Sequence, residues 1–199
     1  GITTRFNAGF NYLDRFLADR MDFNASYTYN YTDNNTISQN KTEYTAGNRG
    51  NQINNQHQAG STYTNNHALS LRANWKIDSV QKLDLQPHFS YQSNDRFGGT
   101  IGNTLLNLKD TLNKSNRDNK SFGENFNWGG DLTYMRRLNK PGRTVSVNFN
   151  GSFSTNKSHA ANYALNSYYR DGLPQRIDTV DNRNYSNGDN NGFRTKIAY

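Results

Sequence analysis

Apolar and polar residues alternate with a period of two along seven stretches of the chain, whereas helical spacing of apolar residues is nearly absent. The stretches are residues 6–12, 21–31, 69–77, 83–91, 126–134, 145–153 and 193–199. Because successive side chains of a β-strand point to opposite faces of its sheet, this pattern predicts seven strands. Most of the stretches span about 9 to 11 residues, the length at which a tilted strand crosses a bilayer.

The two sides of these predicted strands differ in charge. The apolar side carries no charged residue in any of the seven stretches. The opposite side carries Asp22, Arg72, Lys76, Asp84, Asp131, Arg194 and Lys196. The alternation therefore predicts an all-β, antiparallel, up-and-down fold with one uncharged face and one polar face.

The predicted connections alternate strictly between short and long. The short ones are 13–20, 78–82 and 136–143, and the long ones are 33–66, 94–122 and 156–190. Every long connection then leaves the same end of the sheet, as in outer-membrane barrels with tight periplasmic turns and long extracellular loops. A soluble β-sandwich has no physical reason to sort its loops by length, so the pattern favours a transmembrane β-barrel as a single domain over residues 1–199.

Large aromatic residues lie near both ends of the apolar runs. Tyr29, Tyr31, Tyr91 and Trp128 lie toward the long-loop end, and Tyr12, Trp75 and Tyr134 toward the short-turn end. Amphipathic rings favour the headgroup level of a membrane, so these seven residues are the candidate lipid-facing girdle. The alternative is ordinary cross-strand aromatic pairing in a soluble sheet.

Composition separates this chain from ordinary globular and disordered proteins. Only 32% of the 199 residues are hydrophobic and 20% are charged, with a mean hydropathy of −1.05. A packed globular core usually needs nearly half apolar residues, whereas a disordered chain lacks the 13% of aromatic residues found here. The chain has 33 Asn residues and no Cys, so it suits a β-protein with wet surfaces and excludes disulfides and thiolate chemistry.

Charge and chemistry point away from nucleic acid binding and catalysis. Four of the cations behind the net charge of +7 lie in the turn 136–143, which leaves no extended stripe to follow phosphates. The four His residues have no partner at metal-ligand spacing, and no nucleophile signature or acid–base carboxylate pair stands out. We therefore expect no enzyme activity, no cofactor, no metal and no nucleic-acid partner.

The number of predicted strands is itself informative. Bacterial single-chain barrels close with an even number of strands, and open edges inside lipid leave costly unpaired backbone groups. Seven strands therefore indicate either a segment of a larger barrel or an eighth strand hidden elsewhere, and the segment is the preferred interpretation.

Three segments carry a family resemblance. Residues 75–79 running into 83–91, residues 140–144 leading into 145–153, and above all residues 168–178 resemble outer-membrane β-barrel proteins of Bacteroidota that are similar to TonB-dependent receptors. The resemblance implies the bacterial outer membrane and uptake of a bulky ligand such as a glycan or siderophore. It also implies that outer-membrane lipid and lipopolysaccharide surround the protein. The complete barrel of this family has 22 strands and a plug domain, and it contacts TonB through parts that lie outside these residues. A surface lipoprotein is a further implied partner.

Two other functions stay open from the sequence. One is a small structural or adhesive outer-membrane barrel, and the other is a soluble β-rich carbohydrate-binding module. Six aromatic residues of the long loops are the candidate ligand contacts: Tyr44, Tyr63, Phe97, Tyr163, Tyr168 and Tyr169. The alternative for these rings is that hairpins continue the strands above the membrane and use aromatic residues to hold themselves together.

Overall fold

The computed structural model describes residues 1–46, 50–107 and 109–199, and it contains seven β-strands. They are β1 (Ile2–Phe16), β2 (Met21–Ala46), β3 (Gly50–Lys76), β4 (Gln81–Leu106), β5 (Asp110–Arg137), β6 (Thr144–Arg170) and β7 (Leu173–Ala198). Each strand pairs antiparallel with the next, in the order β1 to β7, in one sheet. The predicted all-β, antiparallel, up-and-down arrangement is confirmed. No helix in the described residues is long and apolar enough to span a membrane.

The sheet is open. Among the described residues, β1 pairs only with β2 and β7 only with β6, so both outer strands keep one unpaired edge. Unpaired strand edges offer rows of backbone N–H and C=O groups to a further strand. The sheet therefore has the topology of a barrel wall without the closure of a barrel.

The register places all seven apolar runs on one face. Directly paired residues of neighbouring strands point to the same side, and Phe89, for example, pairs with Leu69 of β3 and with Trp128 of β5. The same holds from Phe6 opposite Tyr31 through to Val147 opposite Ile197. We call this side and its continuation along the strands the apolar face, and the other side the polar face.

The strands run far beyond the apolar runs. Residues 33–66, 94–122 and 156–190 form long paired continuations of β2–β3, β4–β5 and β6–β7 over their described residues. Strands of 26 to 28 residues extend about 90 Å at about 3.3 Å per residue. The last of these hairpins closes on Asp171 and Gly172, whose φ angles of 52° and 75° suit a two-residue turn of type I′. We call this end of the sheet the hairpin end.

The opposite, short-turn end carries the connections 17–20, 77–80 and 138–143. In the middle turn, one carboxylate oxygen of Asp78 accepts hydrogen bonds from the N–H groups of Val80 (2.8 Å) and Gln81 (2.7 Å). Its other oxygen accepts from the side-chain amide of Gln81 at 2.7 Å. The hydrogen bond from the Val80 N–H is the largest cause that holds the pKa of Asp78 below its ordinary value of 3.8.

Replacing Asp78 by Asn is expected to lower stability at neutral pH and to flatten its dependence on acid. Because the pKa of Asp78 is lower in the folded turn, its contribution is complete above about pH 4 and is lost as pH falls through the lowered value. Urea unfolding midpoints measured from pH 7 downward should therefore differ between wild type and Asp78→Asn at neutral pH and converge in acid. A difference that stays constant over this range would contradict the assignment.

The sheet is a single layer with almost no interior. Among the described hydrophobic residues, only Ile53 and Ala164 are buried, and both lie in the long hairpins. The large apolar side chains of the apolar face are exposed instead, as in Phe10, Trp128 and Phe193, which are 63%, 51% and 74% accessible. An exposed apolar surface of this extent marks an interaction with lipid or protein.

Candidate functional site

The uncharged part of the apolar face forms a band that crosses the strands obliquely. Toward the hairpin end, its first charged residues are Asp33 on β2, Asp95 on β4, Glu124 on β5, Lys157 on β6 and Asp189 on β7, whereas the described residues of β1 and β3 carry no Asp, Glu, Lys or Arg on this face in that direction. We call a set of directly paired residues across the sheet a row. Asp33 and Asp95 share a row. Glu124 and Lys157 share the next row of this face toward the short turns, and Asp189 lies in the row after that.

The other margin of the band descends in the same direction. On β1 the first charged residue of this face toward the short turns is Asp14, which shares a row with Leu85 of β4. On β5 it is Arg136, which pairs with Gln81 of β4 and therefore lies nearer the short turns. From β2 to β7, a distance of five strand spacings, the hairpin-side margin moves four residues toward the short turns. From β1 to β5, a distance of four strand spacings, the short-turn margin moves four residues in the same direction. At about 3.3 Å per residue and about 4.8 Å per strand, the band is inclined by about 30° to the rows.

The predicted girdle residues lie on this face, and several hydroxyl groups reach its polar margins. At the hairpin end, Tyr29 donates to Asn65 and Tyr91 to Glu124, both at 2.8 Å. At the short-turn end, Tyr134 donates to Gln81 at 2.6 Å. Rings that pack in an apolar band while their hydroxyls reach polar groups suit a membrane interface.

The remaining girdle candidates have varied surroundings on the same face. Tyr12 lies two same-face positions from the short-turn end of β1 and donates to Asp14 at 2.6 Å. Trp128 stacks on Phe89 with ring centroids 6.3 Å apart. Tyr31 and Trp75 complete the set, and Trp75 pairs with Met21 in the last row that β2 and β3 share before the short turns.

His67 also belongs to this hairpin-side margin, although the sequence indicated no role for the histidines. Its ring lies 4.7 Å from the Tyr29 ring and 6.1 Å from the Tyr91 ring, and its Nδ1 is 2.7 Å from the Tyr27 hydroxyl. The signal was available in the alternation, because His67 is in phase with Leu69 and Leu71.

The six candidate ligand contacts divide between the two faces. Tyr63, Phe97, Tyr163 and Tyr169 lie on the continuation of the apolar face, whereas Tyr44 and Tyr168 lie on the polar face. Tyr63 and Phe97 contact edge to face at 6.4 Å, and Tyr169 lies 5.7 Å from the Lys114 ammonium group. The structure therefore brings some of the six together but does not form one site from all of them.

Phe97 and Tyr163 line an open groove of about 860 Å³ on the continuation of the apolar face. Small residues such as Ala59, Gly99 and Ala161 form part of its lining. The charged and aromatic residues Asp118, Lys120, Asp181, Arg183 and Tyr185 also line it. Selection from the sequence was limited to aromatic residues of the loops, so it missed the four charged members of this group, and it did not include Tyr185.

The polar face is rich in Asn, Ser and Thr and has two shallow hollows. One, of about 410 Å³, is lined by Arg72, His88 and Asp131, among others. The other, of about 350 Å³, lies nearer the hairpin end and includes Arg96 with Gly60 and Gly98. Gly129 admits the His88 imidazole, because a Cβ at position 129 would lie 2.9 Å from its Nε2.

Among the described residues, charge pairs on this face are few, and their arginine side chains are largely exposed. Arg72 and Asp84 lie 3.5 Å apart, and Asn74 also donates to Asp84 at 2.9 Å. Asn150 donates to Asp131 at 3.0 Å. Within the described residues, no group of three or more His, Asp or Glu side chains is arranged to hold a metal ion. The arrangement can hold ligands by hydrogen bonds and charge.

Comparison with known proteins assigns no family. No family model matches the chain, and no curated protein matches it. The outer membrane transporter YddB from Escherichia coli aligns at 8% identity and a TM-score of 0.19, over 91% of this chain and 35% of that one. The beta domain of the Bordetella autotransporter Brka aligns at 9% identity and a TM-score of 0.13, over 99% of both chains. This chain thus spans about a third of YddB, and likenesses this weak carry no argument.

Proposed function

We propose that the seven strands form part of the wall of an outer-membrane β-barrel of the TonB-dependent-receptor type. The apolar face meets lipid, the polar face lines the lumen, and the long hairpins project from the cell. The protein takes up a bulky ligand that the hairpins capture.

The oblique band is the observation that carries this proposal. Strands of transmembrane barrels are tilted by about 35–45° from the membrane normal, so an apolar band parallel to the membrane must cross them at a comparable slant. Both margins of the band on this sheet slant in the same direction by about 30°, on strands that are distant in sequence. A soluble sheet covered by a second layer has no reason to keep such parallel margins.

The single layer and the long hairpins also support a barrel wall. A sheet of this size without a second layer needs another medium to cover its apolar face, and lipid does so without further protein. The strands continue beyond the band at the hairpin end only, which matches short turns on one side of a membrane and long projections on the other. Capture of a ligand by those projections is the role that fits their polar, aromatic surfaces.

Single-cysteine labelling in lipid tests this proposal directly, because the 199 residues contain no Cys. Phe6 and Asn187 occupy one row of the apolar face, and Asp14 and Thr195 occupy another. The oblique band places Phe6 and Thr195 in lipid, and Asn187 and Asp14 in water. In the complete polypeptide in liposomes, a water-soluble maleimide should label Asn187→Cys and Asp14→Cys at least about tenfold faster than Phe6→Cys and Thr195→Cys.

The two rows are controls for one another, because each contains one shielded and one labelled position on outer strands. Equal labelling of all four variants would overturn the membrane assignment and favour a soluble sheet. A protected apolar face with no uptake of any ligand would instead favour a structural or adhesive barrel. Deletion of a hairpin then separates the two membrane functions, since only a receptor loses uptake.

A further inference from the structure

The net charge of the chain lies on one face of the sheet. By register, the polar face carries twelve Lys or Arg residues against five Asp, and the apolar face with its continuation carries six against eight Asp or Glu. The polar-face cations are Arg5, Arg15, Arg72, Lys76, Lys82, Arg96, Arg117, Arg137, Arg170, Arg176, Arg194 and Lys196. Its acidic residues are Asp22, Asp84, Asp110, Asp131 and Asp178.

Few of these cations are neutralised within the sheet. Arg15 pairs with Asp22, Arg72 with Asp84 and Arg176 with Asp178, at 3.0, 3.5 and 2.6 Å. In the described part of the chain, the other nine have no carboxylate within 4.0 Å. A face with this excess attracts anions and concentrates them where low-dielectric walls focus the field.

The densest group of cations lies at the short-turn end. Lys76 of β3 and Lys82 of β4 are directly paired across the two strands. Arg137 lies diagonally from Lys82, because Lys82 pairs with Met135 and the Arg137 N–H donates to the Val80 carbonyl. Like charges directly opposite one another destabilise a sheet, so this group costs stability unless an anion lies against it.

The rest of the polar face suits a hydrophilic ligand with several charges. Arg96 and Arg72 each line a hollow, and the rows between them contain mostly Asn, Ser, Thr, Gln and Gly residues together with the cation Arg5. The amide and hydroxyl groups can donate and accept hydrogen bonds along the way. The Lys76, Lys82 and Arg137 group lies beyond both hollows, toward the short turns.

We propose that the polar face binds a multivalent anion, that is, a ligand bearing several phosphate or carboxylate groups, with the Lys76, Lys82 and Arg137 group as its strongest anchor. This inference rests on the proposed function, in which the polar face lines the path of the ligand, and it names the chemical class of that ligand. An acidic polypeptide segment seated on the same face is the competing occupant.

Lys82→Glu separates these occupants, with tripolyphosphate as the probe in isothermal titration at 0.15 M salt. The substitution places opposite charges across from one another at Lys76 and position 82, which favours the sheet. It should leave thermal stability equal or higher while it weakens tripolyphosphate binding by about tenfold or more, the effect of losing one charge-assisted hydrogen bond. Lys157→Glu is the control, because it makes the same charge change on the other face, at the margin of the apolar band, and should change binding less than about twofold.

Three outcomes would overturn the inference. Equal weakening by both variants would indicate attraction to net charge alone. Absence of tripolyphosphate binding to wild type would exclude a ligand that this face recognises by its phosphate groups. Lower thermal stability of Lys82→Glu without anion binding would indicate an acidic polypeptide segment instead. Cysteine labelling reports separately on the membrane proposal, so a shielded apolar face without anion binding removes this inference alone.

Discussion

Arginine in place of Leu71 is expected to destabilise the membrane-inserted protein by about 2–4 kcal/mol, the cost of a basic side chain on the lipid face near the bilayer midplane. Leu71 lies near the centre of the band on β3, and its partner on β2 is Ala25. The small neighbour leaves room for a longer side chain, so the loss comes from placing a charge in lipid rather than from a steric clash.

Ser70→Arg is the matched control, because Ser70 is adjacent in the chain but exposed on the polar face. In an aqueous lumen the same charge should change stability by less than about 0.5 kcal/mol. Urea unfolding in phosphatidylcholine liposomes, followed by tryptophan fluorescence, gives both values. Equal losses from the two variants would contradict a lipid-covered apolar face and favour a sheet with water or protein on both sides.

The sequence predicts the part of each strand within the apolar band well and the rest poorly, and the contrast between the two faces explains the difference. Where one face is apolar and the other polar, alternation is visible, as from Val145 to Phe153 of β6. Beyond Phe153 the strand continues to Arg170 with mostly polar residues on both faces, so the period of two fades although the backbone stays paired. Strand length therefore depends on hairpin pairing, which hydrophobic periodicity does not report.

The candidate ligand residues show a related limit. Selecting aromatic residues by loop placed Tyr44 and Tyr63 in one group, whereas the strand alternation places them on opposite faces. Extending the phase of Leu69 back to Tyr63 could have predicted that division. At the hairpin tips the phase itself is interrupted by irregularities at Thr104/Leu105 and Tyr168/Tyr169, so counting by twos fails there.

The slant of the band is a property that only the register reveals. Asp14 and Arg136 end the apolar runs of their own strands in the sequence, but their relative height depends on how β1 to β5 are aligned. The charge difference between the two faces can be predicted without the register, since alternation within each strand assigns most of the cations to one face or the other. The polar-face excess could thus be predicted from the sequence, and the slant of the band could not.

Alanine in place of Gly130 is expected to destabilise the sheet by about 1–3 kcal/mol, the usual cost of overpacking. Gly130 of β5 lies opposite Pro87 of β4. A Cβ at position 130 would lie 2.9 Å from the Pro87 Cα and 3.0 Å from the Gln86 carbonyl oxygen. Both atoms belong to the neighbouring backbone, so relief requires β4 and β5 to separate in the middle of the band.

Gly123→Ala is the matched control on the same strand, because its Cβ would meet only the Lys157 carbonyl oxygen at 3.9 Å, an ordinary contact. Replacing this glycine should stabilise the protein by up to about 1 kcal/mol, since the unfolded chain loses conformational freedom. The two variants should therefore shift the urea midpoint in opposite directions. Similar shifts would show that β4 and β5 are not closely apposed at Pro87, and that the band tolerates a wider strand spacing there.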